Sequence, residues 1–318
     1  MRWIVRIVAV LLLLAIAVPA GFRLAAALRE TGAELPNGGR LVETATGRVF
    51  VIESGTGPAV LFLHGTGAWS ALWQPTLAAV AAGGYRAIAF DLPPFGFSDR
   101  AANGDYARAA QAERILALLQ ALEVRPVLVA HSFGAAPGVE AVMTAPDAFA
   151  GLVVVNGAVG LGDHERARKL PWLLRPLWLR ETVVAMTATN PLMTRRLLAG
   201  LLAVKETATP EVVRLLQRPM TRDGSTRTFA EWLPVLLVPE RDALGTRPEK
   251  WSGLAPGTEL IWGDADTVTP LAQGEVLAAL APQARLAMLK GVGHIPQVEA
   301  PGAFREALLA ALGRIAQR

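Results

Sequence analysis

The chain has 318 residues, of which 52% are apolar and 18% charged, with a formal net charge of +4. That balance supports a large buried core and excludes a disordered or collagen-like chain. The absence of cysteine excludes disulfides, Cys-ligated zinc and a cysteine nucleophile.

The first element is apolar. Arg2 and Arg6 precede an uncharged run from Ile7 to Phe22. Counted from Trp3 to Phe22, it is close to the roughly 20 residues that cross a bilayer, and Arg6 can snorkel to the interface. No polar face is visible in the run, which argues against a buried amphipathic helix. It reads as an uncleaved signal anchor in preference to a cleaved signal peptide with its exit at Ala15-Ile16-Ala17 or Val18-Pro19-Ala20, because apolar residues continue through Leu24 to Leu28. Arginines flank both ends, so the positive-inside rule says little. The basic start favours a membrane-anchored protein with its body outside the cytoplasm, in the periplasm. Secretion after signal cleavage is the alternative. Residues 1–30 are thus the anchor or signal peptide, and residues 31–40, with Gly32, Pro36, Gly38 and Gly39, read as a linker.

Short apolar runs at 59–63, 86–90, 126–130, 152–156, 258–262 and 284–289 follow and read as buried strands. Between them lie helical spacings. Ala112, Ile115, Leu116, Leu119 and Leu122 recur within 104–122. Phe304, Leu308, Leu312 and Ile315 recur within 301–316, where Pro301 suits a first helical turn. This alternation predicts an α/β fold, a mostly parallel sheet with helices on both faces. It breaks between residues 159 and 256, where prolines at 171, 176, 191, 210, 219, 234 and 239 punctuate a strand-free stretch. Asn190-Pro191 and Thr209-Pro210 look like caps followed by first helical residues. The stretch is predicted to be a helical lid inserted into a core of residues 41–158 and 257–318.

The charge is unevenly placed. Residues 1–40 hold five arginines and two glutamates, and residues 159–250 hold twelve arginines, three lysines and ten acids. A basic N-terminus and lid on a slightly acidic body suit an anionic surface such as lipid headgroups, and suit ordinary solvation equally well. No basic run with interleaved aromatics is present, so nucleic-acid binding is not expected.

Chemistry-bearing residues gather at predicted strand ends. Val127 to Ala130 run into His131-Ser132-Phe133-Gly134, the pattern of a sharp strand–turn–helix elbow that presents a serine nucleophile. Ala130 stands where the usual G-x-S-x-G pattern has its first glycine. His64-Gly65-Thr66-Gly67 follows another strand, and its backbone N–H at Thr66, with that of Phe133, would face a developing oxyanion. Asp264 and Asp266 follow Ile261-Trp262-Gly263, and His294 ends Gly291-Val292-Gly293-His294. Serine, aspartate and histidine in this order, each at the C-terminal edge of a parallel strand, suit acyl transfer.

These stretches resemble the α/β-hydrolase superfamily, fold-1 type with a helical lid, from about residue 41 to the end. The family's H-G-x-G turn matches His64 to Gly67. Its D-x-x-G-x-G-x-S stretch is similar to Asp91 to Ser98, with Pro94 at the first glycine. Its W-G-x-x-D-x-x-x-P stretch matches Trp262 to Pro270, and its G-H-x-x-x-x-E-x-P stretch matches Gly293 to Pro301. The resemblance implies Ser132 as nucleophile, Asp266 rather than Asp264 as the acid, and His294 as the base, with no metal or organic cofactor. A serine at 132 sets the chain apart from the branches that use an aspartate nucleophile, dehalogenases and epoxide hydrolases. His64 is expected to be structural, His131 to point away from the nucleophile, His164 to lie on the lid surface and Glu299 to cap the last helix. Trp172, Trp178 and Trp232 are expected to line an acyl pocket, pack the lid or meet a membrane interface. The expected function is a serine esterase acting on a small-molecule ester with an apolar or lipid-like acyl group. The alternatives are C–C bond hydrolysis in aromatic degradation, haloperoxidase-like or acyltransferase activity, and a non-catalytic membrane-tethered binding protein.

Overall fold

The structure is a computed structural model that describes residues 2–161, 169–238, 240, 242–254 and 257–317. His164 and Pro239 lie outside the described residues. The chain opens with helix α1 (Arg2–Arg29). A hairpin, β1 (Arg40–Thr44) and β2 (Gly47–Ser54), leads into β3 (Ala59–Leu63), α2 (Gln74–Ala82), β4 (Arg86–Phe90), α3 (Arg108–Leu122), β5 (Val127–His131), α4 (Ala135–Thr144) and β6 (Gly151–Val155). Four helices come next: α5 (Leu177–Met186), α6 (Pro191–Leu201), α7 (Pro210–Gln217) and α8 (Ser225–Leu237). The chain then returns to the sheet with β7 (Thr258–Gly263), α9 (Leu271–Leu280), β8 (Arg285–Leu289), the single turn α10 (Pro296–Glu299) and α11 (Pro301–Ala316).

The eight strands form one sheet in the order β1-β2-β4-β3-β5-β6-β7-β8. Pairing is antiparallel from β1 to β4 and parallel from there to β8. The predicted α/β fold with a mostly parallel sheet is the observed one. Every residue of β5, β6 and β7 is buried, as expected of strands covered on both faces. Side chains alternate across the sheet. Leu128, Ala130, Leu152 and Val154 pack with α3, α4 and α9 on one face. Val127, Val129, Val153 and Val155 pack with α2 and α11 on the other. The run at 284–289 departs from expectation: β8 is an edge strand with only Leu289 buried, because no further strand covers it.

Between β6 and β7 the described residues form helices and turns without a strand. Asn190 and Thr209 are the caps expected: the Asn190 side chain accepts from Leu192 N–H at 3.1 Å, and Thr209 Oγ1 accepts from Val212 N–H at 3.4 Å. Each is followed by proline at the first helical position, where a missing N–H leaves nothing unsatisfied.

By length and composition α1 suffices to cross a membrane. Its last third is docked on the helical insert. Arg23 pairs with Glu181 at 2.6 Å, Arg29 donates to Thr189 O at 3.3 Å and Ala26 is buried. Just beyond α1, Glu30 accepts from Thr226 N–H at 2.9 Å.

The close of β7 sets the distance between two loops that matter below. A Cβ on Gly263 would lie 2.3 Å from Val292 O and 2.5 Å from Gly293 O. Gly263→Ala is therefore expected to push the 292–294 loop outward and lower the melting temperature measurably by calorimetry.

Candidate active site

The turn after β5 carries Ser132 at φ +51°. A non-glycine residue in this left-handed region costs on the order of 1–2 kcal/mol, so the surroundings must hold it there. Gly134 allows the tight approach: a Cβ there would sit 2.6 Å from His64 O and 2.9 Å from Leu63 Cβ. The structure also accounts for Ala130 in place of a glycine. Its methyl group faces α4 at Gly138, where an added Cβ would lie 3.1 Å from Ala130 Cβ and 3.0 Å from Leu63 Cδ1. The glycine absent at 130 is matched by one on the facing helix.

Ser132, His294 and Asp266 come together in one hydrogen-bonded chain. Ser132 Oγ lies 2.7 Å from His294 Nε2, and His294 Nδ1 lies 2.8 Å from Asp266 Oδ2. An ionised carboxylate only accepts, so Nδ1–H donates to Asp266 and Nε2 is left to accept from the serine hydroxyl. Burial works against the Asp266 charge, but hydrogen bonds from His294, Asn156 and Thr269 outweigh it and hold the group down at about 2. Thr269 Oγ1 donates to Asp266 Oδ2 at 2.7 Å, while the N–H groups of Val268 and Thr269 reach Oδ1 at 2.7 and 3.0 Å. Asp264 points elsewhere; it is exposed and accepts from Gly291 N–H at 2.6 Å.

Asn156 and Thr269 were not anticipated from sequence. Asn156 follows β6 at φ +43°. Its Nδ2 donates to Asp266 Oδ2 at 2.5 Å and Gly293 O at 3.2 Å, and its Oδ1 accepts from Gly263 N–H at 3.3 Å. An asparagine directly after a buried strand was the available signal, since Asn tolerates the left-handed region.

Two expectations are corrected. Glu299 does not cap the last helix. It is buried and accepts four backbone N–H bonds: from Gly293 at 3.1 Å and Ile295 at 3.0 Å on either side of His294, and from Ala203 at 2.7 Å and Val204 at 3.1 Å just beyond α6. His294 N–H in turn donates to Leu201 O at 3.1 Å. The histidine loop is thus stapled to the helical insert, because a buried carboxylate can collect several backbone donors at once. His131 does not turn away either. Its Nε2 lies 2.8 Å from His294 O and its ring centroid 5.4 Å from that of His294. His64 is structural as expected: Nε2 accepts from Leu92 N–H at 2.9 Å, and Nδ1–H donates to Gly65 O at 2.9 Å.

Above Ser132 lies a cavity of about 400 Å³. Thr66, Phe133 and His131 line its floor, and Leu197, Leu198 and Leu201 of α6, Leu216 of α7 and Phe229 of α8 line its walls. No Arg, Lys, Asp or Glu is among its lining residues within the described part of the chain. Neither Thr66 N–H nor Phe133 N–H donates to a protein acceptor among the described residues. Trp232 packs away from the cavity, edge-on to Phe95 and Phe133 at 4.9 and 5.1 Å. Trp172 and Trp178 are exposed. Among the described residues no cluster of His, Asp and Glu is placed to hold a metal ion.

Two predictions follow from this geometry. Gly138→Ala is expected to destabilise by about 1–3 kcal/mol through overpacking, and adding Ala130→Gly is expected to recover part of that loss. Urea unfolding of both singles and the double would measure this coupling. The second concerns pH. Burial pushes His64 down to about 4 and His131 to about 3, and pushes Asp91 up to about 6. Below about 6.5 the unfolded chain protonates both imidazoles and the folded chain does not, so their stability contribution, full above that pH, is lost as pH falls. Asp91 acts with opposite sign between about 4 and 6, holding in the fold a proton that the unfolded carboxylate has released. The net is one extra proton on the unfolded chain, a slope of about 1.4 kcal/mol per pH unit. Denaturant midpoints are expected to fall from pH 6 to pH ~4.5, and less steeply in His131→Gln.

The chain is similar to known proteins in sequence and in fold. Residues 60–307 match the alpha/beta hydrolase family. The chain is 27% identical over 276 residues to a 2-hydroxymuconate semialdehyde hydrolase of Pseudomonas sp. (strain CF600), covering 85% of this chain and 92% of that protein. It is 26% identical over 260 residues to an uncharacterized protein of Mycobacterium tuberculosis (strain ATCC 25618 / H37Rv), covering 79% and 74%. Among solved structures, a meta-cleavage product hydrolase from Pseudomonas fluorescens IP01 superposes with a TM-score of 0.70 at 23% identity, over 87% of this chain and 98% of that one. A membrane phospholipase A described as a bacterial virulence factor superposes with a TM-score of 0.69 at 21% identity, over 100% of this chain, α1 included, and 98% of that one. A family match across most of the sheet, its helices and the insert means that the chain belongs to the alpha/beta hydrolase family.

Proposed function

We propose that the protein is a serine hydrolase that cleaves carboxylic esters with apolar, lipid-like acyl groups while tethered to a membrane by α1. The observation that carries this reading is the cavity over Ser132, walled by leucines and Phe229 and, among the described residues, without a charged side chain in its lining. An acyl chain of several carbons fits such walls, each buried methylene contributing about 0.8 kcal/mol. In this reading α5 to α8 act as a lid.

The chemistry follows from the geometry. His294 Nε2, 2.7 Å from Ser132 Oγ, takes the hydroxyl proton as Oγ attacks the ester carbonyl. Asp266 keeps the imidazole in the required tautomer and stabilises its protonated form. The N–H groups of Thr66 and Phe133 stabilise the oxyanion, and losing one such donor typically costs on the order of a hundredfold in rate. His294 then returns the proton to the leaving alcohol, and water attacks the acyl-enzyme by the same route.

The C–C bond hydrolase reading has support in the relative named as a 2-hydroxymuconate semialdehyde hydrolase. A dienoate acid brings a carboxylate into the site, and an unpaired buried charge is costly. Among the described residues the cavity lining offers no cation to meet it, so the ester reading is preferred.

A fluorophosphonate probe is expected to label the full chain and to leave Ser132→Ala unlabelled, with ester turnover in that variant reduced on the order of 10⁴-fold or more. Across p-nitrophenyl esters, kcat/KM is expected to rise from acetate to medium-chain acids. A steep preference for acetate would overturn the acyl-chain assignment, and turnover of dienoates above esters would favour C–C hydrolysis.

A further inference from the structure

We propose that the start of α5, with the Trp172–Leu174 turn before it, lies in the headgroup layer of the bilayer that α1 crosses, so that the helical insert rests on the membrane. This inference depends on the reading of α1 as a membrane span. It goes further by naming the face of the body that meets lipid.

The first argument is how α1 is attached. On the stretch preceding Pro19, α1 stands free of the body; from Pro19 onward, Pro19, Phe22, Ala26 and Arg29 form a stripe turned toward the insert. Arg23 pairs with Glu181, and six residues later Arg29 reaches Thr189 O. Helices α1 and α5 therefore run side by side in the same direction. Followed back toward its N-terminus, α1 leaves the insert at the start of α5.

The second argument is length. The uncharged run of residues 7–22 has 16 residues, about 24 Å of helix at 1.5 Å per residue. That is short of the roughly 30 Å hydrocarbon core, so the arginines that bound it belong at the two headgroup boundaries. Arg23, the inner one, is held 2.6 Å from Glu181 on α5. Where Arg23 lies, α5 lies too.

The third argument is the surface at that place. Trp172, Leu173 and Trp178 are 73%, 52% and 56% exposed, with the exposed Arg175 among them. Large exposed apolar side chains close together in the Trp172–Leu174 turn and the start of α5 mark an interaction face. Tryptophan beside arginine is the side-chain chemistry of a membrane–water boundary, where the ring sits among headgroups and the cation meets anionic phosphate. The same insert lends Leu197, Leu201 and Leu236 to the cavity over Ser132, so the unit that rests on lipid also walls the cavity.

The cysteine-free chain makes the test direct. Single cysteines at Val10→Cys, Leu173→Cys, Trp178→Cys and, as a control on the exposed body, Asp147→Cys would be labelled with an NBD fluorophore. The full chain would then be reconstituted into vesicles of phosphatidylcholine with a minority of phosphatidylglycerol. Labels at 10, 173 and 178 are expected to be quenched by nitroxide-bearing lipids, and those at 173 and 178 to be quenched by aqueous iodide several-fold less than the label at 147. Lipid quenching at 10 with full iodide access at 173 and 178 would overturn the proposal while leaving α1 as a membrane span. Loss of lipid quenching at 10 would overturn the reading of α1 and the proposal with it. Iodide shielding at 173 and 178 without lipid quenching would mean that a second copy of the chain covers this face, which also overturns it.

Discussion

The imidazole of His294 has to bridge a hydroxyl and a carboxylate that the sheet places two strands apart. Ser132 stands at the end of β5 and Asp266 just past β7, with β6 between them. The gap is filled by Asn156 at the end of β6, which donates both to Asp266 and to the carbonyl of Gly293. The hydrogen bonds that hold the histidine loop therefore come from three sources: the sheet edge through Asn156, the elbow through His131, and the insert through Leu201 and the Glu299 staple. Buried polar groups linked in this way rigidify a site when every member is paired. A loop fixed from several sides loses little orientational freedom when a reaction begins, which is what positioned catalysis requires.

The electrostatics of the site are sharply divided. Beneath the serine, charge is concentrated and satisfied: Asp266 accepts from side chains on one oxygen and from backbone N–H groups on the other. Above the serine, the described cavity lining is uncharged. A low-dielectric space over a prearranged donor set strengthens interactions with charge that develops in a reaction and gives an ion that arrives already charged little reason to enter. None of the described arginines of the insert lines the cavity; Arg180, for one, donates to Ala230 O and Leu174 O.

Two of the attachments of the insert differ in character. At α6 it is stapled to the histidine loop through Glu299. At α5 and α8 it carries the C-terminal part of α1 through Arg23, Arg29 and Glu30. A tilt of α1 relative to the body would load the helices that wall the cavity, and a shift at α6 would reach His294 through hydrogen bonds. The physical route from the N-terminal helix to the histidine is continuous.

Much of this was legible from the chain alone. Buried strands of Val, Leu and Ile announce themselves by composition, so the parallel sheet could be read, and the order of Ser132, Asp266 and His294 at strand ends follows once the strands are known. The apolar start of the chain was equally plain. Where partners lie far apart in sequence, the reading stopped. Glu299 looked like a cap because its donors at Ala203 and Val204 are nearly a hundred residues away. Asn156 offered only its place directly after a buried strand and Thr269 no local pattern, since their role depends on which strands become neighbours. Ala130 looked like a flaw in the elbow until Gly138 on the facing helix was placed against it. Sequence by itself determined which residues are apolar, where strands end and which chemical groups stand there, because these are local consequences of side-chain type. Only the tertiary structure decided which groups meet, which charges are kept out of the cavity and which face of the insert carries α1, because those depend on distances across the fold that no spacing along the chain encodes.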